Sequence, residues 1–224
     1  MESLGENWRK WVPETSIQSN ERSLKTYEGY LGFKRDDLKG KTVLDLGSGK
    51  TELFSRSVRD NGINTNVISL NPDYSLEKSR QSIKEKADWG KKSVAAIGQE
   101  LPFRDEFFDK ILAVYSVASF SNPHKEIGNP EAAEKWVSEI VRVLKPGGEA
   151  RLAPINSFNK KNIEEREWKK LLEGLKSQGL NIEIERIKKE EVDEREARKF
   201  FDDDDFMPSW RLIIKKPDLK LDKI

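Results

Sequence analysis

The rhythm of apolar and polar positions changes along the chain, and each change predicts an element. Residues 1–40 mix the aromatics Trp8, Trp11, Tyr27 and Tyr30 with charged residues, which suits helices or a cap. "KTVLDL" is a short apolar run ending at glycines, the pattern of a buried strand. In "ELFSRSVRDNG", Leu53, Phe54 and Val58 share one helical face, and Asn61-Gly62 marks a C-terminal stop. "TNVISL" predicts a second strand closed by Asn71-Pro72, and residues 75–87 form a weaker helical pattern around Leu76 and Ile83. "SVAAI", "KILAVYSV" and "EARLAPI" predict the third, fourth and fifth strands. Before the fifth, Trp136, Val137, Ile140, Val141 and Leu144 recur at helical spacing until Pro146-Gly147-Gly148 stops them.

Strand and helix alternate over residues 41–155, which predicts an α/β layered domain with a mainly parallel sheet. A charged helix carrying Trp168, Leu171, Leu172 and Leu175 follows. "LNIEIERI" and "SWRLIIKK" then read as strands that finish the sheet in antiparallel fashion. The expected organisation is a single domain over 1–224, with a cap at 1–40, a core at 41–155 and a C-terminal helix and strands at 156–224.

Composition narrows the chemistry. The 41 basic and 40 acidic residues leave a formal charge of +1, which gives no reason to expect nucleic acid or an anionic membrane as partner. Zero cysteines and one histidine exclude a disulfide framework, a thiolate site and a multi-histidine zinc site. The first residues contain no apolar signal core, so a cytoplasmic protein is expected. The acid run Asp202 to Asp205 reads as a solvated loop rather than a magnesium site, because contiguous acids cannot all face one ion. No metal is expected.

The glycine loop in "VLDLGSGKT" admits several readings. Gly49-Lys50-Thr51 looks like the end of a phosphate loop, but the glycine needed five positions earlier is Leu44, inside the strand. A dinucleotide-binding loop wants a further glycine at Glu52 and an acid ending the second strand, and both are missing. What remains is a strand ending at Asp45 and a tight turn through Gly47 and Gly49, placed where ligands bind in open α/β sheets.

Three motifs, in order over about residues 36–155, resemble class I S-adenosylmethionine-dependent methyltransferases. They are the loop Asp45 to Gly49, the run "LPFRDEFFDKILAVYSV" entering the fourth strand, and "EIVRVLKPGGEARL" before the fifth. The resemblance implies a Rossmann-like three-layer sandwich, mainly parallel with an antiparallel C-terminal strand, and an N-terminal helical cap. It implies S-adenosylmethionine as cofactor, held by Asp45, Gly47, Ser48, Gly49, Asn71, Pro72, Gly98, Gln99, Glu100 and Leu101. It also implies methyl transfer to an acceptor, with a small molecule as the first expectation and a protein acceptor or partner as the second. The other reading is a non-catalytic methyltransferase-like scaffold that serves as a protein-interaction module.

The chain departs from the family at three positions. Thr51 replaces a third glycine, Asn71 replaces the acid that receives the ribose hydroxyls, and Ile97 falls where an acid meets the adenine amino group. The Asn71 amide loses charge assistance, a cost of about 1 kcal/mol. Asp73 is a second candidate for the ribose, and Gln99 or Glu100 for the adenine.

His124, in the loop after the fourth strand, is the candidate base, and Tyr115 on that strand is the second catalytic candidate. A general base is needed only where the acceptor must lose a proton. A surface role for His124 and core packing for Tyr115 explain the same residues without chemistry. The acceptor pocket is expected between loops 116–124 and 153–158 and the N-terminal aromatics, which serve either as a lid or as helix packing.

Overall fold

The computed structural model describes residues 22–49, 51–75, 92–116, 130–155, 163–192 and 210–218. Their elements run in chain order as α1 (Leu24–Leu31), β1 (Thr42–Leu46), α2 (Leu53–Asp60), β2 (Asn66–Leu70), β3 (Ser93–Val94) and β4 (Phe108–Val114). There follow α3 (Pro130–Val143), β5 (Leu144–Ile155), α4 (Ile163–Ser177), β6 (Asn181–Arg186) and β7 (Trp210–Lys215).

The strands form one seven-stranded sheet in the order β3-β2-β1-β4-β5-β7-β6. Pairings from β3 to β5 are parallel, and β7 runs antiparallel between β5 and β6. Strand order reverses between β1 and β4, so a crevice opens at their carboxyl ends.

Period-two alternation sends each strand's side chains to two different layers. Leu44, Leu46, Ile111, Ala113, Ala150, Leu152, Leu212 and Ile214 pack with Trp136, Val137 and Ile140 of α3 and Trp168, Leu172 and Leu175 of α4. Val43, Leu112, Val114 and Ala153 pack on the other face with Tyr27, Tyr30 and Leu31 of α1 and Phe54 and Val58 of α2. The layered sandwich follows from this double burial.

The cap helix is tied down at both ends. Ser23 accepts a hydrogen bond from the Thr26 N–H at its start, and Gly32 takes the left-handed conformation at its end. Arg151 of β5 donates to the carbonyls of Leu31 (2.8 Å) and Gly32 (3.0 Å), satisfying acceptors the helix leaves open.

Three local expectations are corrected. The third strand is two residues long rather than five, with Ile97 and Glu100 forming a separate bridge beyond it. Pro146-Gly147-Gly148 does not precede β5 but lies inside it as an irregularity in the β4 register, held by bonds between Gly147, Gly148 and Lys216. Tyr115 has left β4, because its backbone turns to φ 57° while its N–H still donates to Ala153. The expected helix at 76–87, Trp8, Trp11 and the acid run at 202–205 lie outside the described residues.

Candidate cofactor site

Asp45 is the fourth residue of β1 and is fully buried. Its Oδ1 accepts a 2.5 Å hydrogen bond from the Tyr27 hydroxyl of α1, while Oδ2 has no partner among the described residues. Burial pushes the carboxyl up to about 7; the Tyr27 bond and Arg22 draw it down, and Glu52 pushes it further up. A buried carboxyl with one oxygen uncommitted is costly unless something else completes it.

The turn beyond it is built on two glycines. Gly47 has φ +81°, and a Cβ there would run into Ser116, whose hydroxyl donates to the Leu46 carbonyl. Gly49 has φ +72°, but a Cβ there would meet none of the described residues within 4 Å. The first glycine is therefore required by close packing against the chain after β4, and the second faces open space among the described residues. The N–H groups of Gly47 and Ser48 both point back to the Leu70 carbonyl, which ties the loop to β2.

Ser48, Tyr74, Glu52 and Ser93 form a buried polar group beside this turn. The Ser48 hydroxyl lies 2.7 Å from that of Tyr74, and Tyr74 also donates to the Gly49 carbonyl at 2.8 Å. Glu52 caps α2 in a left-handed conformation and accepts from the Ser93 hydroxyl. Burial raises its carboxyl above the ordinary range, with the Ser93 and Tyr74 hydrogen bonds opposing. Burial, then Glu52, likewise raises the Tyr74 hydroxyl.

The remaining sequence candidates divide clearly. Asn71 and Pro72 sit half-buried at the end of β2, with the Asn71 N–H donating to Val94. Gly98, Gln99, Glu100 and Leu101 follow β3; Leu101 is buried, Glu100 exposed, and Gly98 lies directly against the Trp136 indole. Leu101 is held from α3, since its N–H donates to Glu139 and its carbonyl accepts from Arg142. Ile97 is buried and apolar, so it offers no side-chain acceptor. Tyr115 stands at the carboxyl end of β4 with its hydroxyl 2.6 Å from that of Tyr30 and its ring under the Arg22 guanidinium. His124, Lys50 and most of the two expected acceptor loops lie outside the described residues.

Sequence reasoning named Tyr27 and Tyr30 only as lid or packing aromatics, yet both hydroxyls reach candidate site residues. It missed Glu52, Tyr74, Ser93, Arg22 and Trp136. Tyr74 directly follows the Asn71-Pro72-Asp73 turn and carried a readable signal, whereas nothing local marks Glu52, whose partner is far along the chain. Among the described residues there is no cluster of three or more acids or histidines able to hold a metal, and no helix long and apolar enough to cross a membrane.

The comparisons with known proteins bear on the family and the fold. The pattern of the family described as "Methyltransferase domain" matches residues 44–152, from β1 to β5. Sterol 4-C-methyltransferase strm-1 of Caenorhabditis elegans is 28% identical over 73% of this chain and 46% of its own length. Ubiquinone/menaquinone biosynthesis C-methyltransferase UbiE of Yersinia pestis is 35% identical over 49% of this chain and 41% of its own. This chain thus aligns with less than half the length of either relative. Among solved structures, a chain of the Haloferax volcanii complex containing the Trm112 methyltransferase activator superposes with a TM-score of 0.57. That match spans 97% of this chain and 99% of the other at 17% identity, a likeness of fold.

Residues 44–152 of the chain thus resemble the methyltransferase domain, as the three sequence motifs lead one to expect. That resemblance supports S-adenosylmethionine as the cofactor.

Proposed function

We propose that this protein transfers a methyl group from S-adenosylmethionine to a small-molecule acceptor, with the cofactor across the carboxyl ends of β1, β2 and β3. Among the described residues, the observation that carries the reading is Asp45, a fully buried carboxyl with Oδ2 uncommitted beside a glycine that faces open space. An amino acid ammonium group suits that oxygen, and the turn at Gly47, Ser48 and Gly49 lets a ligand approach the backbone. Asn71 and Pro72 take the ribose side, and Gly98 to Leu101 the adenine side, with Trp136 as the wall behind Gly98.

The cofactor supplies a methyl group on a sulfonium whose leaving group is neutral. The chain's task is therefore alignment and exclusion of water, and a base only for acceptors that shed a proton. Tyr115 touches the acceptor in this reading, and its hydroxyl pair with Tyr30 can pass a proton between two oxygens. His124 is the proposed base for such acceptors. Small-molecule acceptors are supported by the sterol and quinone pathways named for the relatives. The lack of cysteine fits work in the cytoplasm.

Calorimetric titration with S-adenosylmethionine and S-adenosylhomocysteine tests the proposal. Saturable one-to-one binding, followed by transfer of labelled methyl to a sterol, quinol or heterocycle, is the expected result. Absence of heat and of thermal stabilisation at millimolar ligand would leave Thr51, Asn71 and Ile97 as marks of a lost site, and the scaffold reading would replace the enzyme.

A further inference from the structure

Two facts about Asp45 are independent of any ligand. One oxygen is held by a hydroxyl from a different element, and the other is buried with no partner among the described residues. Tyr27 is itself fixed, because its ring is stacked on Phe54 of α2 at 4.1 Å and its helix is anchored through Arg151. A rigid donor on one oxygen sets the rotamer of the carboxyl and so decides where the other oxygen points.

We infer that Tyr27 is a positioning residue for cofactor binding: it orients Asp45 so that Oδ2 meets the amino end of S-adenosylmethionine. The inference rests on the cofactor placement proposed above. Its physical basis is that the site holds mostly acids and hydroxyls. Among the described residues, Arg22 from the segment before α1 is the cation facing Asp45, opposed by Glu52 from the α2 cap. Tyr27 comes from α1 and Tyr74 from the turn after β2, both protonated. The hydroxyls at the end of β4, on Tyr115 and Ser116, bond to Tyr30 and to the Leu46 carbonyl instead. Desolvated beside Glu52, the Asp45 carboxyl keeps its proton to about pH 7 without ligand. An ammonium group at Oδ2 reverses that balance, as an adjacent opposite charge does. Affinity therefore rises as pH rises through neutrality.

The test is calorimetric titration with S-adenosylhomocysteine at pH 6 and pH 8 in buffers of different ionisation enthalpy, on wild type, Tyr27→Phe and Asp45→Asn. Phenylalanine keeps the stack on Phe54, and an unchanged melting temperature checks that it does. Wild type should release about one proton per ligand at pH 6 and fewer at pH 8. Tyr27→Phe removes a bond that favours the ionised carboxyl, so affinity should fall about tenfold and its pH profile should move to higher pH. A packing role alone leaves the profile in place. Wild-type affinity and pH profile in Tyr27→Phe, with binding lost in Asp45→Asn, would overturn the role of Tyr27 and leave the cofactor site standing. Wild-type binding in Asp45→Asn would remove both.

Discussion

Asp45 of β1 and Glu149 of β5 are carboxylates of one sheet, two strands apart, and they stand at opposite ends of the acidity scale. Both lose solvation. Glu149 regains more than it loses, because Arg151 at 2.7 Å and Lys110 at 2.9 Å hold it, and its carboxyl falls to about 2. Among the described residues Asp45 receives one hydroxyl and no salt bridge, and rises to about 7. Glu149 is an ion completed by the fold itself; Asp45 Oδ2 has no partner among the described residues. Buried charge that is fully matched marks structure, and buried charge that is half matched marks a site.

That contrast can be broken experimentally. The largest effect is expected from Glu149→Ala, which strands Lys110 and Arg151 in a mostly buried setting. Stability should fall by about 3 kcal/mol in urea denaturation, while cofactor affinity stays the same. Asp45→Asn should do the reverse. Affinity for S-adenosylhomocysteine should fall about a hundredfold, near 2.7 kcal/mol, and the melting temperature should not drop.

The same pair should separate along pH. Asp45 binds its proton more tightly folded than unfolded, so its contribution is complete below pH 4 and is lost as pH rises through about 7. Asp45→Asn should accordingly melt higher than wild type at pH 8 and alike at pH 4. Glu149 contributes above its unfolded value and loses that contribution as pH falls toward 2. Glu149→Gln should thus differ from wild type at pH 7 and converge with it in acid. The smallest effect is expected at β2. Asn71→Asp restores charge toward the ribose hydroxyls and should tighten cofactor binding several-fold, about 1 kcal/mol, in the same titration.

Much of the core was legible because its signals are local. The first, second and fifth strand runs, the helical spacing from Trp136 to Val143 and the glycines after Asp45 each lie within a few residues and formed the elements they predicted. The third strand came out shorter. Legibility failed where a partner lies far along the chain. The end of β4 was misread because Tyr115 continues the apolar run, whereas its backbone turns left-handed and its hydroxyl meets that of Tyr30. Pro146-Gly147-Gly148 reads as a terminator, yet Lys216 pairs with it and carries β5 through. Insertion of β7 between β5 and β6 is likewise a long-range choice.

The sequence by itself determined the layered α/β class, the position of the glycine turn and the resemblance to methyltransferases, because periodicity and short motifs are properties of neighbouring residues. Tertiary structure alone decided that Tyr27 would hold Asp45, that Tyr30 would hold Tyr115, and that Glu52 would be buried beside Tyr74 and Ser93. The reason is that a carboxyl's charge state depends on what the folded chain brings to within hydrogen-bonding distance, and residues 27 and 45 meet only after α1 has packed on the sheet.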